Sequence, residues 1–248
     1  MRLTDHMSRS GASLFRWRSY LPLALVPLLV DAAFRGKQIE AALGAFWGGA
    51  FAVLAVGLVV AGQGLRMATV GHVPRGTSGR NVQGQRAEAL NTTGIYSVVR
   101  NPLYLANCLM YLGVALFSQS LIAALVMALV LLPYYERIIA AEEQFLTVKF
   151  GAEYDDWTAR TPAFLPRLKG WVPSALPFSW RSVIRRERAS VFGAVVALYL
   201  MELGLNLLGP VPAPMPGIWH RVLVLAVVLE VAAILVKRHT DLLAVEGR

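Results

Sequence analysis

The chain has few of the residues that cross-link or charge a soluble protein. Its single cysteine, Cys108, excludes a disulfide within one chain and any zinc site built from cysteine pairs. Charged residues make up only 16% of the 248 residues, and the four histidines are scattered without the spacing of metal ligands. We therefore expect neither a disulfide-rich secreted domain nor a resident metal centre.

Apolar residues dominate the composition. They make up 56% of the chain, and the mean hydropathy is +0.53. This combination is typical of an integral membrane protein. The net charge of +9 does not indicate a nucleic-acid partner, because the basic residues cluster between apolar segments, where they act as topology signals.

Six apolar segments predict an all-α, polytopic membrane bundle of about six spans. They cover residues 19–34, 43–68, 102–117, 119–135, 189–208 and 219–236. A spanning helix needs about 20 residues, with about 17 near the lower limit. The third and fourth segments are joined only by Phe117-Ser118-Gln119-Ser120, which predicts a tight helical hairpin.

The distribution of Lys and Arg predicts that both termini are cytoplasmic. This topology places 21 of the 24 basic residues inside and only Arg35, Lys37 and Arg221 outside. Arginines before the first segment resemble a signal peptide, but no small-residue cleavage site follows, so we expect a retained helix. We accordingly expect a multi-pass protein of the bacterial inner membrane.

The segments suggest three units: membrane helices and a loop in 1–88, a core in 89–170 and a two-helix extension in 171–248. Gly, Arg, Gln and Asn in 71–93 predict a mobile loop. Residues after 135 predict a cytoplasmic continuation of the fourth span that stops at Gly151. Aromatic residues and prolines beyond it predict a compact interfacial lid.

A polar cluster, Arg100-Asn101-Pro102, begins the third apolar segment. Asn is a favoured N-cap residue and Pro is favoured at the first helical position, so helix capping explains Asn101 and Pro102. Capping does not explain Arg100 or the nearby Tyr104. A helix start also offers free N–H groups and a positive dipole end, where a carboxylate or phosphate can dock beside Arg100.

A second polar cluster, Glu142-Glu143, lies beyond the hairpin. The two glutamates could be ordinary carboxylates on a solvated helix end. Alternatively, they could supply a carboxylate that pairs with a cation. Adjacent helical residues point about 100° apart, so both cannot face one small site equally. Together with Arg100, one glutamate can hold a zwitterion such as the amino-acid end of a cofactor.

These motifs carry a family resemblance. Gly94-Ile95-Tyr96-Ser97-Val98-Val99-Arg100-Asn101-Pro102-Leu103-Tyr104 resembles the Arg-His-Pro-x-Tyr region of the isoprenylcysteine carboxyl methyltransferase and phospholipid methyltransferase family. Glu142-Glu143-x-x-Leu146-x-x-x-Phe150-Gly151-x-x-Tyr154 resembles its second signature, and Arg160-x-Pro162 with Leu165-Pro166 resembles its closing segment. The resemblance covers about 90–170. It departs at Asn101, which excludes an imidazole base there, and at Ala106, where a glycine is frequent.

The resemblance implies S-adenosylmethionine as methyl donor and a lipophilic, membrane-embedded acceptor at the cytoplasmic leaflet. The cofactor-binding residues that it implies are Tyr96, Val99, Arg100, Asn101, Pro102, Leu103, Tyr104, Glu142 and Glu143. It also implies that Arg160 acts at the reacting end of the acceptor, as the candidate catalytic residue. The acceptor itself, the atom methylated and the oligomeric state stay open.

Two other functions fit the sequence. An NADPH-dependent membrane reductase of the sterol or steroid type is distantly similar in the same region. A non-catalytic transporter or assembly factor would use Glu202 and Glu230, since ionisable groups within apolar segments are usually functional or paired across helices.

Overall fold

The computed structural model describes residues 3–74, 87–210, 213–245 and 247, and the regular elements in these ranges are all helical. The α-helices are α1 (Leu3–Trp17), α2 (Leu21–Ala24), α3 (Val26–Phe34), α4 (Gln38–Leu43), α5 (Ala45–Val70), α6 (Pro102–Phe117), α7 (Leu121–Phe150), α8 (Ala152–Arg160), α9 (Trp180–Leu207) and α10 (Gly217–His239). Short 3₁₀ turns cover Arg18–Tyr20 and Gly94–Ser97. Residues 75–86 of the predicted mobile loop lie outside the described ranges.

Five helical stretches are long and apolar enough to cross a membrane. They are the interrupted stretch Arg9–Leu43 and the helices α5, α7, α9 and α10. The apolar helix α6 has only 16 residues. The prediction of a polytopic helical membrane bundle is thus confirmed, with five candidate spans among the described residues where about six were predicted, because α6 is shorter than a spanning helix. The sidedness of the termini stays a prediction.

The predicted hairpin between α6 and α7 is confirmed. Gln119 adopts a left-handed φ of 62° between the two helices, and the Ser120 hydroxyl caps α7 by accepting from the Ala123 N–H at 3.3 Å. With 30 residues, α7 is about 45 Å long, which exceeds a hydrocarbon core of about 30 Å. It ends as predicted at Gly151, whose φ of 52° suits glycine.

Helices α5 and α6 approach closely because glycines remove side chains from their contact. A Cβ on Gly113 would lie 2.7 Å from the Ala55 carbonyl oxygen, and one on Gly62 would lie 2.6 Å from the Ala106 carbonyl oxygen. Small residues permit this kind of contact between membrane helices. Ala106, at the position where glycine is frequent in the resembling family, is fully buried here.

The start of α9 differs from the predicted segment, which began at residue 189. The Ser179 hydroxyl accepts from the Ser182 N–H at 3.3 Å and starts α9 at Trp180. The helix therefore includes the charged residues before Ala189. A capping serine specifies a helix start that hydropathy alone does not reveal.

Helix α8 and the residues after it fold compactly over the end of α6 that carries Arg100. The Arg100 N–H donates to the Pro162 carbonyl at 2.9 Å, and the Arg167 N–H donates to the Val98 carbonyl at 3.0 Å. We call the region from Ala152 to Pro162 the lid, and the end of the bundle that it covers the lid end.

Candidate functional site

A cavity of about 930 Å³ opens beneath the lid, between α5, α6, α7 and α9. Seven of the residues predicted from the sequence line it: Tyr96, Arg100, Asn101, Pro102, Leu103, Tyr104 and Glu142. The hairpin is the reason, because it returns α7 alongside α6 and so places Glu142 near the start of α6. The two polar clusters predicted to form one site therefore meet in one cavity.

Arg100 is fixed in position but keeps unused capacity to donate hydrogen bonds. One terminal nitrogen of its guanidinium lies 3.0 Å from Glu143 Oε1, and the two side chains are 16% and 32% exposed. Its Nε is buried without a hydrogen-bond partner among the described residues. A buried guanidinium donor that is not satisfied is a suitable contact for an anionic ligand group.

The capping role predicted for the Asn101 side chain is wrong. Asn101 occupies the N-cap position of α6, but its side chain accepts no hydrogen bond from the first turn. Its Nδ2 instead donates to the Ala163 carbonyl at 3.0 Å, because the segment after α8 brings that carbonyl within reach. Asn101 thus ties the chain beyond the lid to α6, and the first N–H groups of α6 have no side-chain cap.

Tyr104 and Glu142 form the wall where α6 faces α7. The ring of Tyr104 packs against that of Tyr135, with centroids 5.1 Å apart. Tyr104 and Glu142 both line the cavity. Glu142 lines the cavity while Glu143 turns to Arg100, so the adjacent carboxylates diverge as helix geometry requires.

The lid contributes an aromatic pair that sequence reasoning did not assign to the site. Trp157 Nε1 donates to the Tyr96 carbonyl at 3.1 Å, and the rings of Tyr154 and Trp157 lie 5.7 Å apart. Burial, reinforced by nearby Glu143, raises the pKa of the Tyr154 phenol well above its usual value, so it stays neutral. The detectable signal was the spacing of Tyr154 and Trp157, which places both on one face of α8.

Three of the predicted residues do not line the cavity. Val99 is buried in packing, and Glu143 lies behind Arg100. The side chain of Arg160 is exposed, and its Nε donates to the Asp156 carbonyl at 3.1 Å. Because Arg160 is not brought into the cavity, its role at the acceptor stays a prediction.

The opposite wall contains a charged network that sequence reasoning missed. Arg66 on α5 makes two hydrogen bonds to the Glu187 carboxylate on α9, at 2.6 and 3.1 Å, and a third to Asn107 Oδ1 at 2.6 Å. The side chains of Arg66 and Glu187 are 11% and 4% exposed. Arg66 could have been recognised from the sequence, because it lies within an apolar segment, where a charged side chain is costly unless it has a partner.

The carboxylates singled out in the last two spans have partners within the protein. The Asn206 amide donates to Glu202 Oε1 at 3.0 Å, one helical turn away. Glu230 on α10 forms an ion pair with Arg188 on α9. Within the described residues, no group of three or more His, Cys, Asp or Glu side chains is arranged to hold a metal ion.

Part of the chain that lines the cavity matches a known protein family. Residues 50–153 match the family model described as phospholipid methyltransferase. The family recognised from the motifs is thereby confirmed for this region. The match runs from α5 into α8 and includes the hairpin, Arg100 and Glu142. It does not include α9 or α10.

Three curated relatives each match part of the chain. Over 153 residues the chain is 37% identical to the nickel-cobalt-cadmium resistance protein NccN of Alcaligenes xylosoxydans xylosoxydans, covering 61% of this chain and 63% of that one. Over 105 residues it is 37% identical to the cobalt-zinc-cadmium resistance protein CzcN of Cupriavidus metallidurans, covering 42% and 47%. Over 115 residues it is 29% identical to the protein-S-isoprenylcysteine O-methyltransferase of Schizosaccharomyces pombe, covering 45% and 48%.

The chain thus spans about half to three fifths of the length of these relatives. No solved structure matches it. The family model and the fission yeast relative both carry methyltransferase names.

Proposed function

We propose that this protein transfers a methyl group from S-adenosylmethionine to a lipophilic acceptor held in the membrane. The observation that carries the proposal is the single cavity in which the Arg100–Tyr104 region meets Glu142. Both parts lie within the region that matches the phospholipid methyltransferase family. When bound, the cofactor would supply an activated methyl group on a sulfonium centre.

The chemistry of the cavity fits the two charged ends of the cofactor. The buried Nε of Arg100 and the uncapped start of α6 suit a carboxylate. Glu142 suits an ammonium or sulfonium cation, and the aromatic faces of Tyr96 and Tyr104 favour a cation as well. Glu143 would act through Arg100, whose guanidinium it contacts.

The lining of the cavity divides into a polar part and an apolar part, which suits a polar cofactor beside a lipophilic acceptor. Pockets for single drug-sized ligands range over roughly 300–1,000 Å³, and this cavity of about 930 Å³ lies at the upper end. Beyond the polar residues, its wall is apolar where Val59, Met110 and Val114 face Ala194. We assign the polar part to the cofactor and the apolar part to the acceptor.

The protein's contribution would be to position the reactants and exclude water. Alignment of two bound reactants lowers the barrier by removing the entropy cost of their encounter. The lid, held by Trp157 and followed by the Asn101 tether, would keep water from the polar part. Because most of the described Lys and Arg residues lie at the lid end, we propose that this end faces the cytoplasm.

Arg160 remains our candidate for orienting the reacting end of the acceptor. Its guanidinium lies outside the cavity, so this role requires the end of α8 to rotate when the acceptor binds. Arg160→Ala would then reduce methyl transfer without weakening cofactor binding.

The cofactor assignment is tested by titrating purified protein in detergent with labelled S-adenosylmethionine. We expect Arg100→Ala and Glu142→Gln each to weaken binding by about tenfold or more, because each removes a charge-assisted contact. Glu153→Ala, which changes an exposed carboxylate outside the cavity, is the matched control and should bind like the wild type. Wild-type affinity in the two site variants would place the cofactor elsewhere.

One observation favours the reductase as a second candidate. Arg185, Arg186 and Lys237 also line the cavity, and basic residues suit the 2′-phosphate of NADPH. A ligand that binds only the folded protein raises its melting temperature, so parallel melts with S-adenosylmethionine and NADPH separate the two candidates. Incubation with labelled S-adenosylmethionine and total membrane lipid would then identify the acceptor.

A further inference from the structure

The segment between the lid and α9 combines exposed apolar side chains with positive charge. We define it as the basic strap, residues 164–181. Between Asp156 and Glu187 the sequence has no acidic residue, and the strap itself contributes Arg167, Lys169 and Arg181. Most of its large apolar side chains are exposed, including Leu165 and Leu168 (76% each), Trp171 (50%) and Trp180 (66%), whereas Phe164 and Leu176 are partly buried.

Backbone hydrogen bonds hold the strap in place. The Arg167 N–H donates to the Val98 carbonyl at 3.0 Å, and the Val172 carbonyl accepts from the Gly94 N–H at 2.8 Å. Near its far end, the Ser179 N–H donates to the Gly71 carbonyl at 2.9 Å. With its main chain fixed against residues 94–98 and the end of α5, the strap holds Leu168 and Trp171 outward.

The depth of the strap follows from the antiparallel pairing of α9 and α10. The ion pair between Arg188 and Glu230 places these residues at one level. Lys237, in the basic last turn of α10, follows Glu230 by seven residues. Arg181, at the start of α9, precedes Arg188 by seven residues. Seven helical residues rise about 10 Å, so Arg181 and Lys237 lie at the same level because the two helices are antiparallel. The strap therefore joins α9 at the level where the last span leaves the membrane.

We propose that the basic strap is a binding site for the headgroups of anionic lipids. Trp171 and Leu168 lie at the boundary between headgroups and acyl chains, where such side chains are stable. Arg167 and Lys169 contact the lipid phosphates, since basic residues beside a membrane attract anionic lipids. Charge complementarity selects this partner, because the strap has cations and no carboxylate to balance them. The proposal does not depend on the methyl-transfer reaction.

Tryptophan quenching in lipid nanodiscs tests the proposal on the full chain. Subtracting the signal of Trp171→Phe from that of the wild type isolates Trp171. We expect phosphatidylglycerol brominated near the headgroup to quench Trp171 about twofold more than equally brominated phosphatidylcholine at the same mole fraction. The double variant Arg167→Gln, Lys169→Gln should lose this preference.

Lys149→Gln is the matched control. Lys149 is an exposed cation at the same end of the bundle, beside the exposed Val148, but it lies on α7 outside the strap. This variant should keep the wild-type preference. High salt screens headgroup attraction, so it should lower the preference of the unmodified protein without any substitution. Equal quenching of Trp171 by the two lipids, or quenching by aqueous acrylamide alone, would overturn the proposal.

Discussion

Two arginine–glutamate pairs lie beside the same cavity and differ in how completely they are satisfied. Arg66 uses Nε and both terminal nitrogens, two of them on Glu187 and one on Asn107. Arg100 makes one contact to Glu143, and its buried Nε has no partner among the described residues. The saturated pair therefore holds helices together, whereas the unsaturated pair keeps a donor that a ligand can use.

The two pairs also differ in where their members lie relative to the family match. Arg100 and Glu143 both fall within residues 50–153. Arg66 falls within this region too, but Glu187 lies beyond it on α9. The saturated pair therefore ties the C-terminal helices to the matched core and closes one side of the cavity with them. We infer that α9 shapes the part of the cavity assigned to the acceptor.

The largest effect is expected from breaking the saturated pair. Glu187→Ala leaves Arg66 buried with an uncompensated charge, which costs about 3–5 kcal/mol of the free energy of unfolding. Glu143→Ala, the matched change in the other pair, should cost less than about 1 kcal/mol because both partners are partly exposed. Thermal unfolding of each variant in the same detergent measures the difference.

Replacing both charged residues of the saturated pair with apolar ones separates loss of the ion pair from burial of an unpaired charge. The double variant Arg66→Met, Glu187→Met removes both charges together, so it should recover most of the stability lost by Glu187→Ala. Equal losses for Glu187→Ala and Glu143→Ala would contradict the distinction between the pairs.

A smaller effect is expected at Asn101, beside the unsaturated pair. Asn101→Ala removes the hydrogen bond to the Ala163 carbonyl and should cost about 1 kcal/mol. Asn101→Ser separates tethering from helix capping, because serine is a good cap but too short to reach Ala163. We expect both variants to show faster hydrogen exchange in residues 161–167, because neither side chain reaches the Ala163 carbonyl. If residues 161–167 of the serine variant exchange as slowly as in the wild type, the hydrogen bond from Asn101 to Ala163 does not hold this segment.

Local features of the fold could be predicted from the sequence because their causes are local. Ser118-Gln119-Ser120 between apolar runs specifies the hairpin, and Gly151 ends α7 where a left-handed φ is required. The divergence of Glu142 and Glu143 also follows from helix geometry. The sequence does not say which of the two faces the cavity, because that depends on the rotation of α7 against α6.

The remaining parts of the site depend on contacts between distant residues. Arg66 and Glu187 are 121 positions apart, and Asn101 and Ala163 are 62 apart. Neither pair has a sequence signature, since each depends on how helices pack and where the lid folds. The residue type and position of Asn101 predict an N-cap. In the folded protein its side chain instead donates to the Ala163 carbonyl, which only the tertiary fold brings near.

The smallest effect, and the most direct comparison of the two pairs, is the salt dependence of their coupling energies. A double-mutant cycle on Arg100 and Glu143 should give about 1 kcal/mol or less at low salt, because the partners are partly exposed and share one contact. At 1 M salt the screening length falls to about 3 Å, so this coupling should approach zero. The cycle on Arg66 and Glu187 should change little, since burial keeps counterions away from its hydrogen bonds. If the two couplings fall in parallel as salt is added, Arg100 is no more available to a ligand than Arg66, and the assignment of the cofactor carboxylate to Arg100 loses its electrostatic basis.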